Sequence, residues 1–335
     1  MVVPRLRLRP LLLATVLWVL PACGDGAPAP SPSASSTPLG PPALTVLDRV
    51  AVGGDPIGIT EGFGSLWVVN SEFSSGGRSS VSRIDPASGS VVATIRVGAV
   101  PLEVADGFGS IWVSNSEDDT VSRIDPTTNE VTATIDTCGA PEGMVAGGDS
   151  VWVVCEEGGG VAPIDPRTGR SGELIETGFE PRFVAAAFGS LWVSNYVDSS
   201  VSRIEPRTGK VVAEIPTAFG PQIMAEAGGK LWVSAVDADV LQPIDPSSNE
   251  AGTEISTEAQ PDGLLFHAGS LWLATDLGPV LQRVDPASTE ITGTWSVSDQ
   301  GSIRANQLIV EADGAFWFPM LDSAEVLRVE IPTGA

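Results

Sequence analysis

An all-β ring of seven four-stranded blades, a β-propeller, is the fold the sequence predicts, and three observations predict it. The first is a tryptophan-centred strand written seven times: GSLWVVN at 64–70, GSIWVSN at 109–115, DSVWVVC at 149–155, GSLWVSN at 189–195, GKLWVSA at 229–235, GSLWLAT at 269–275 and GAFWFPM at 314–320. Its indoles, Trp67, Trp112, Trp152, Trp192, Trp232, Trp272 and Trp317, stand 45, 40, 40, 40, 40 and 45 residues apart. The second is a marker that keeps step with the first: IDP at 84–86, 124–126, 164–166 and 244–246, IEP at 204–206, VDP at 284–286 and a worn EIP at 330–332. The third is the filling of each period by four short β-rich runs between Gly, Asp-Pro and Asn turns, with no helical periodicity.

The chain opens on a basic MVVPRLRLRP, an apolar LLLATVLWVL and a small-residue PACGDG. That order predicts a secretory signal over 1–22, too short to span a bilayer, which takes roughly 20 apolar residues. LPAC at 20–23 resembles the lipobox of bacterial lipoproteins. The resemblance implies acylation of Cys23 with palmitate-type chains, which gives more than the two signals stable anchoring needs. Residues 23–42 continue as a Pro/Ser/Ala/Gly-rich tether with too little apolar surface to fold. The propeller is expected over 43–335, on the outer leaflet of the cytoplasmic membrane or on an outer membrane.

Within a blade the four strands differ in kind. The first carries small residues (Gly62, Ala105, Ala146, Ala185, Ala225), suited to the narrow end of a wedge. The second is apolar throughout, as a strand covered on both faces should be. The fourth, such as EVTATIDT at 130–137, alternates as a strand wet on one side does. Blade 7 has an inner strand near Gln307–Glu311, then AFWFPM and EVLRVEI, but no fourth strand. The segment LTVLDRVAVGGDP at 44–56 reads like the outer strand VVATIRVGAVP at 91–101. It is therefore expected to complete the last blade, closing the ring with four antiparallel strands in every blade and no open edge.

The full chain has 18 Lys+Arg against 42 Asp+Glu, a net charge of −24, and the predicted leader removes Arg5, Arg7 and Arg9 but no acid. A chain this acidic repels phosphate backbones, which excludes nucleic acid as a partner.

The repeats serve as controls on one another. A residue found in most blades does a blade's work, so the seven tryptophans are packing groups. The acids Asp85, Asp125, Asp165, Glu205, Asp245 and Asp285 are turn residues accepting backbone N–H bonds. Arg83, Arg123, Arg203, Arg283 and Arg328 recur two residues before that acid, or at its place in the last blade, and are expected to form ion pairs or stacking contacts between blades. Cys138 and Cys155 do not repeat. With the hairpin hinged near Gly148, Glu142 falls opposite Cys155 and Cys138 comes to lie just beyond the strand end. A disulfide fits that geometry in an oxidising compartment, and two buried thiols are the alternative.

WVSNSEDDTVSRIDPTTNEVTATIDTCGAPEGMVA at 112–146 resembles the YVTN-type β-propeller repeat, and the resemblance extends over 44–332. It implies a propeller on an exported or surface protein and no agreed chemistry. A more distant likeness is to streptogramin B lyases, also seven-bladed. What that likeness implies, histidine bases beside a magnesium site, meets a chain whose single histidine is His267. His267 falls in a turn between first and second strands, away from the usual binding mouth, where a structural role is expected.

Two surfaces depart from uniformity. Loops after the second strands carry Glu72, Glu117, Asp118, Asp119, Glu156, Glu157, Asp198, Asp237, Asp239, Asp276 and Asp322 against Arg78: a solvated rim, or a face for a basic partner or Ca²⁺. At the axial mouth the residue after the loop proline (after Asn306 in blade 7) runs Ile57, Leu102, Glu142, Arg182, Gln222, Asp262, Gln307. Glu103 and Phe183 follow, Tyr196 lies in a nearby loop, and the long insertions 71–80 and 296–306 open here too. Varied polar groups at a propeller axis are the usual place for a ligand. The candidate ligand-binding residues are Glu103, Glu142, Arg182, Phe183, Gln222, Asp262 and Gln307, with no catalytic residue, metal or cofactor assigned. The reading is a monomeric, exported, lipid-anchored propeller that binds a protein or small molecule at its top face. The alternatives are a metal-dependent lyase or hydrolase built on Glu103, Glu142, Asp262 and Arg182, and a purely structural envelope protein.

Overall fold

The computed structural model describes residues 41–71, 79–276, 280–297 and 309–332. The predicted signal peptide, Cys23 and most of the tether lie outside them. The described chain forms seven antiparallel sheets, each ordered from an inner to an outer strand. Blade 2 is representative, with strands Pro101–Gly107, Ser110–Asn115, Thr120–Asp125 and Glu130–Asp136. Blade 7 comprises Val310–Ala312, Ala315–Met320 and Glu325–Glu330, and Val46–Ala51 supplies its outer strand. Val46 pairs with Val329 and Ala51 with Glu325, so the expected closure is what forms. Ahead of that strand, Pro42 and Leu44 bond to Ser296 at the end of blade 6's outer strand.

In six of the seven blades the second-strand tryptophan bonds to its own blade and packs on the next; Trp272 Nε1 has no hydrogen-bond partner among the described residues. Trp67 donates Nε1–H to the Gly62 carbonyl of its own inner strand at 2.9 Å, and Trp112, Trp192 and Trp232 do the same to Gly107, Ala187 and Ala227. The ring then packs into the following blade: Trp67 against Val104, Ile111, Val113 and Ile124, Trp112 against Met144, Val151, Val153 and Ile164. The seven apolar clusters of the described residues are the seven seams between blades.

The recurrent arginine crosses the same seam, in a way the sequence reading describes only in part. Its stacking is within the blade and its bonds to the next blade are to neutral acceptors. The Arg83 guanidinium lies 4.9 Å from the Trp67 ring centre and gives Nη1–H to the Pro126 carbonyl (2.7 Å) and to Asn129 Oδ1 (2.9 Å) of blade 2. Arg203 repeats this over Trp192 with Pro246 and Asn249 of blade 5. An ion pair does occur at Arg328, with Asp313 of its own blade, at 2.6 Å. The turn acids behave as expected: Asp85, Asp125, Asp165, Asp245 and Asp285 each accept a backbone N–H two residues on. Hydroxyl bonds from Ser88 and Ser247, and backbone bonds at the other three, hold these carboxyls below their usual pKa range.

The tetrad WVSN has a mechanical meaning. Near its start each inner strand of blades 1 to 6 shifts register against the second, as between Pro101 and Val104, which frees an N–H from the ladder. The serine hydroxyl takes it: Ser114 accepts from Glu103, Ser194 from Phe183 and Ser234 from Ile223, at 3.0–3.1 Å. The asparagine locks the following hairpin, Asn115 Nδ2 donating to Thr120 and Ser122 and Asn195 Nδ2 to Ser200 and Ser202.

Blades 3 and 5 break the outer strand, into Arg170–Ser171 and Ile175–Glu176, and into Glu250–Ala251 and Ile255–Ser256. Here proline replaces the recurrent arginine (Pro163, Pro243) and has no N–H for the outer strand. Gly172 and Gly252 donate instead to the proline carbonyls at 2.7 Å. A Cβ at Gly172 would stand 2.8 Å from the Pro163 ring, so proline and glycine go together.

Four of the rim acids are loop fasteners. Asp118, Asp119, Asp198 and Asp239 accept the backbone N–H of Ala99, Ala140, Phe179 and Gln260, at 2.7–2.9 Å, in the loops that enter the inner strands. In blade 3 the fastening is covalent. Cys138 and Cys155 form a disulfide across a Cα–Cα distance of 5.5 Å. The register is one residue from that expected, since Pro141, not Glu142, pairs with Cys155 ahead of the shift toward Met144. At the equivalent places blades 2 and 4 have Gly98 with Asn115 and Gly178 with Asn195. A Cβ on either glycine would lie 2.6 or 2.7 Å from the asparagine Cγ. The two sites are so close that they hold a glycine with a larger residue or a disulfide.

Replacing both cysteines by serine is expected to lower stability by about 3 kcal/mol, the loop-closure value for a separation of 17 residues, read as a lower urea midpoint. Arg203→Ala removes a stack and three hydrogen bonds to buried or half-buried acceptors and should lower it by roughly 2–3 kcal/mol.

Candidate functional site at the channel mouth

The inner strands of blades 2 to 6 begin at Pro101, Pro141, Pro181, Pro221 and Pro261, a strand's first residue being where the missing N–H costs least. Strand starts therefore converge at one end of the axis, and the residue after each proline is held there. Ile57, Glu142 and Asp262 are buried, while Leu102, Arg182 and Gln222 are half-buried. Gln307 lies outside the described residues, as do Glu72, Arg78 and most of the two insertions.

Glu103 is 4% exposed. Its N–H is held by Ser114, and its Oε1 accepts from Val104 N at 2.8 Å. Burial pushes its pKa up to about 8, opposed by the Val104 bond and reinforced by the charge of Glu142. Glu142 is also pushed by burial to about 8, although Arg182 pulls it down, while Glu156 and Asp262 raise it further.

Arg182 is the hub of the mouth. Its Nη1 meets Glu142 Oε1 at 3.3 Å, and its Nη2 meets Glu156 Oε1 at 3.2 Å and Glu180 Oε2 at 3.3 Å. The guanidinium lies 5.2 Å from the centre of the Tyr196 ring, whose hydroxyl donates to Asp237 of the next blade. Burial, with that bond behind it, pushes the Tyr196 pKa up to about 12. Glu142 Oε2 and Arg182 Nε are buried with no hydrogen-bond partner among the described residues. Beside this hub a cavity of about 300 Å³ is lined by Arg182, Tyr196, Gln222, Asp237, Asp262 and Asp276.

The structure thus brings Glu142, Arg182, Gln222 and Asp262 together and adds rim acids to them. Phe183 serves packing, touching the apolar clusters on either side of blade 5. Glu180 is the member that the sequence reading passes over. It precedes the loop proline, where other blades have Val100, Ala140, Gly220 and Gln260, and that lack of repetition is the signal that identifies it. Three carboxylates already surround Arg182, so the cavity's own acids give it negative character and suit a cationic or strongly hydrogen-bonding ligand. Among the described residues, no three His, Cys, Asp or Glu side chains are grouped so as to hold a metal ion. His267 sits at the far end of its strand, edge-on to Phe316 at 5.6 Å and 3.9 Å from Glu311 of blade 7.

A pH dependence follows from the two buried acids. Their folded pKa values of about 8 lie above the ordinary 4.5, so the native state holds more protons between these limits. The stability they contribute is full below about 4.5 and is lost as pH rises through about 8. Glu103→Gln keeps an acceptor for Val104 and removes the buried charge. It should raise the urea midpoint above pH 8 and flatten its fall between pH 5 and 8.

No protein-family model matches the chain, and no curated protein matches it in sequence. Among solved structures it is similar to the hydrazine synthase of Kuenenia stuttgartiensis, with a TM-score of 0.72 at 14% identity, over 85% of this chain and 98% of that one. Likeness at that identity bears on the fold alone, and with the seven closed sheets it makes this chain a seven-bladed β-propeller.

Proposed function

We propose that this protein is an exported, lipid-anchored binding protein, a divergent YVTN-type propeller that holds a small molecule or a protein side chain at its channel mouth. The observation that carries the reading is the cavity beside Arg182. Its lining side chains break a repeat that is otherwise kept, and two polar atoms of the adjoining Glu142–Arg182 pair are buried without partners among the described residues. Groups of this kind cost stability in an unliganded protein, and a ligand offering a donor to Glu142 would offset that cost. The excess of carboxylates over guanidinium favours a protonated amine.

The anchor fits the same picture. The Pro/Ser/Ala-rich segment 23–42 would tether a lipid on Cys23 to the ring. Wild-type protein should incorporate radiolabelled palmitate and sediment with membranes, whereas Cys23→Ser should do neither. The same unlabelled soluble pool for both forms would remove the anchor from the reading.

Binding is tested by affinity capture from cross-linked envelopes, comparing wild type with the triple variant Glu142→Ala, Arg182→Ala, Asp262→Ala. A small molecule or partner should be retained by the first and lost by the second. Identical captures from two folded forms would exclude the mouth.

A further inference from the structure

Six of the seven repeat indoles carry a cation. Guanidinium carbons of Arg83, Arg123, Arg203 and Arg328 lie 4.9, 5.1, 4.8 and 5.3 Å from the ring centres of Trp67, Trp112, Trp192 and Trp317. Arg283 lies 5.9 Å from Trp272, and Lys230 Nζ 5.8 Å from Trp232. Among the described residues, Trp152 alone has none.

The occupied copies define what the missing cation would touch. Arg83, Arg123 and Arg203 each give Nε–H to the serine that opens the second strand (Ser65, Ser110, Ser190), at 2.8–2.9 Å. Each gives Nη1–H to the proline carbonyl of the next blade's turn (Pro126, Pro166, Pro246), at 2.6–2.8 Å. Blade 3 keeps both counterparts, Ser150 and Pro206, and keeps the indole. What it lacks is the arginine, since Pro163 stands opposite Trp152. A proline ring ends three carbons from the backbone and cannot reach the place of a guanidinium. Blade 5 has the same substitution, at Pro243, but there Lys230 replaces the serine and supplies the charge.

The broken outer strand of blade 3 borders a groove that reaches this place. The groove, of about 690 Å³, runs between blades 3 and 4, with Trp152, Pro163 and Pro206 in its lining and Glu173 and Glu176 along it. Both glutamates are exposed, and Trp152 is 4% exposed, against 3% for Trp272 and 0% for the other five repeat tryptophans. The groove therefore keeps the indole and the turn proline that the same chain pairs with arginine three times elsewhere, and adds two carboxylates that those three places lack.

We propose that the groove between blades 3 and 4 docks an arginine side chain of a partner polypeptide, in the place that Arg83, Arg123 and Arg203 occupy in their own blades. Planar stacking on the indole and directed bonds to a carbonyl and to carboxylates select guanidinium over ammonium. The site is on the side of the ring and does not depend on the reading of the mouth.

The test titrates the full chain, in detergent and labelled with fluorotryptophan, with acetyl-Gly-Arg-Gly amide and with its citrulline counterpart, which keeps the shape and loses the charge. The arginine peptide should shift the Trp152 fluorine resonance, assigned through Trp152→Phe, in a saturable way. It should bind roughly five- to tenfold more tightly than the citrulline peptide. Pro163→Arg returns the cation from within, and should abolish that shift and raise the urea midpoint. No saturable shift, an equal response to citrulline, or undiminished binding to Pro163→Arg overturns the proposal. If Pro163→Arg does not fold, the double variant Glu173→Gln, Glu176→Gln replaces it, both positions being exposed. Several-fold weaker binding is expected of it, and unchanged affinity overturns the proposal.

Discussion

The second-strand tryptophan is the contact on which the ring depends. A blade of four strands has two broad faces to cover and no helix to cover them, so each must be covered by a neighbouring blade. The indole does this from a strand buried on both sides. In every blade but the sixth its N–H is satisfied by the inner strand of its own blade, which leaves the ring to pack as apolar surface against the next. Truncating such a residue costs about 3–5 kcal/mol, and here the loss would fall on two blades together.

The seam has a second layer, and its rules explain sequence features that look unrelated. Arginine over the indole reaches a carbonyl of the next blade's turn, so the Asp-Pro turn is both a hairpin and an acceptor platform. Where proline takes the arginine's place, the outer strand breaks, and glycine is required two residues beyond its first segment's start. The serine of WVSN exists because the inner strand shifts register at its start and frees an N–H. One displaced hydrogen bond thus accounts for a residue kept in three blades.

The mouth is where these constraints end. Residues after the loop proline differ from blade to blade, and where two of them meet across a seam, as Arg182 meets Glu142, the contact is not repeated. Burial there raises the pKa of Glu103 and Glu142 to about 8, a cost borne by the fold and offset only in part by Arg182. The disulfide lies close by in sequence, joining the loop before Glu142 to the strand end before Glu156. It fixes two of the three carboxylates that surround the arginine.

Seven blades, four strands in each, and closure by the first strand were all legible in the sequence, because the Trp and Asp-Pro markers recur at a fixed period and period 2 patterning reports burial on strands. The disulfide was legible as well, since two cysteines replace a glycine and an asparagine at positions that a hairpin brings together. Side-chain partnerships were not. That Arg203 bonds to a carbonyl of the next blade and not to an acid, and that Asp118 and Asp198 fasten loops 19 residues away, depend on which loops meet in the closed ring; that Glu180 turns to Arg182, two residues on, depends on how the strand entry is held. The tertiary structure alone also decided the one-residue displacement at Cys155, because a bulge in one strand moves every later partner by one. Local patterning determines which strands form and which faces they bury; directed contacts between blades exist only once the ring has closed.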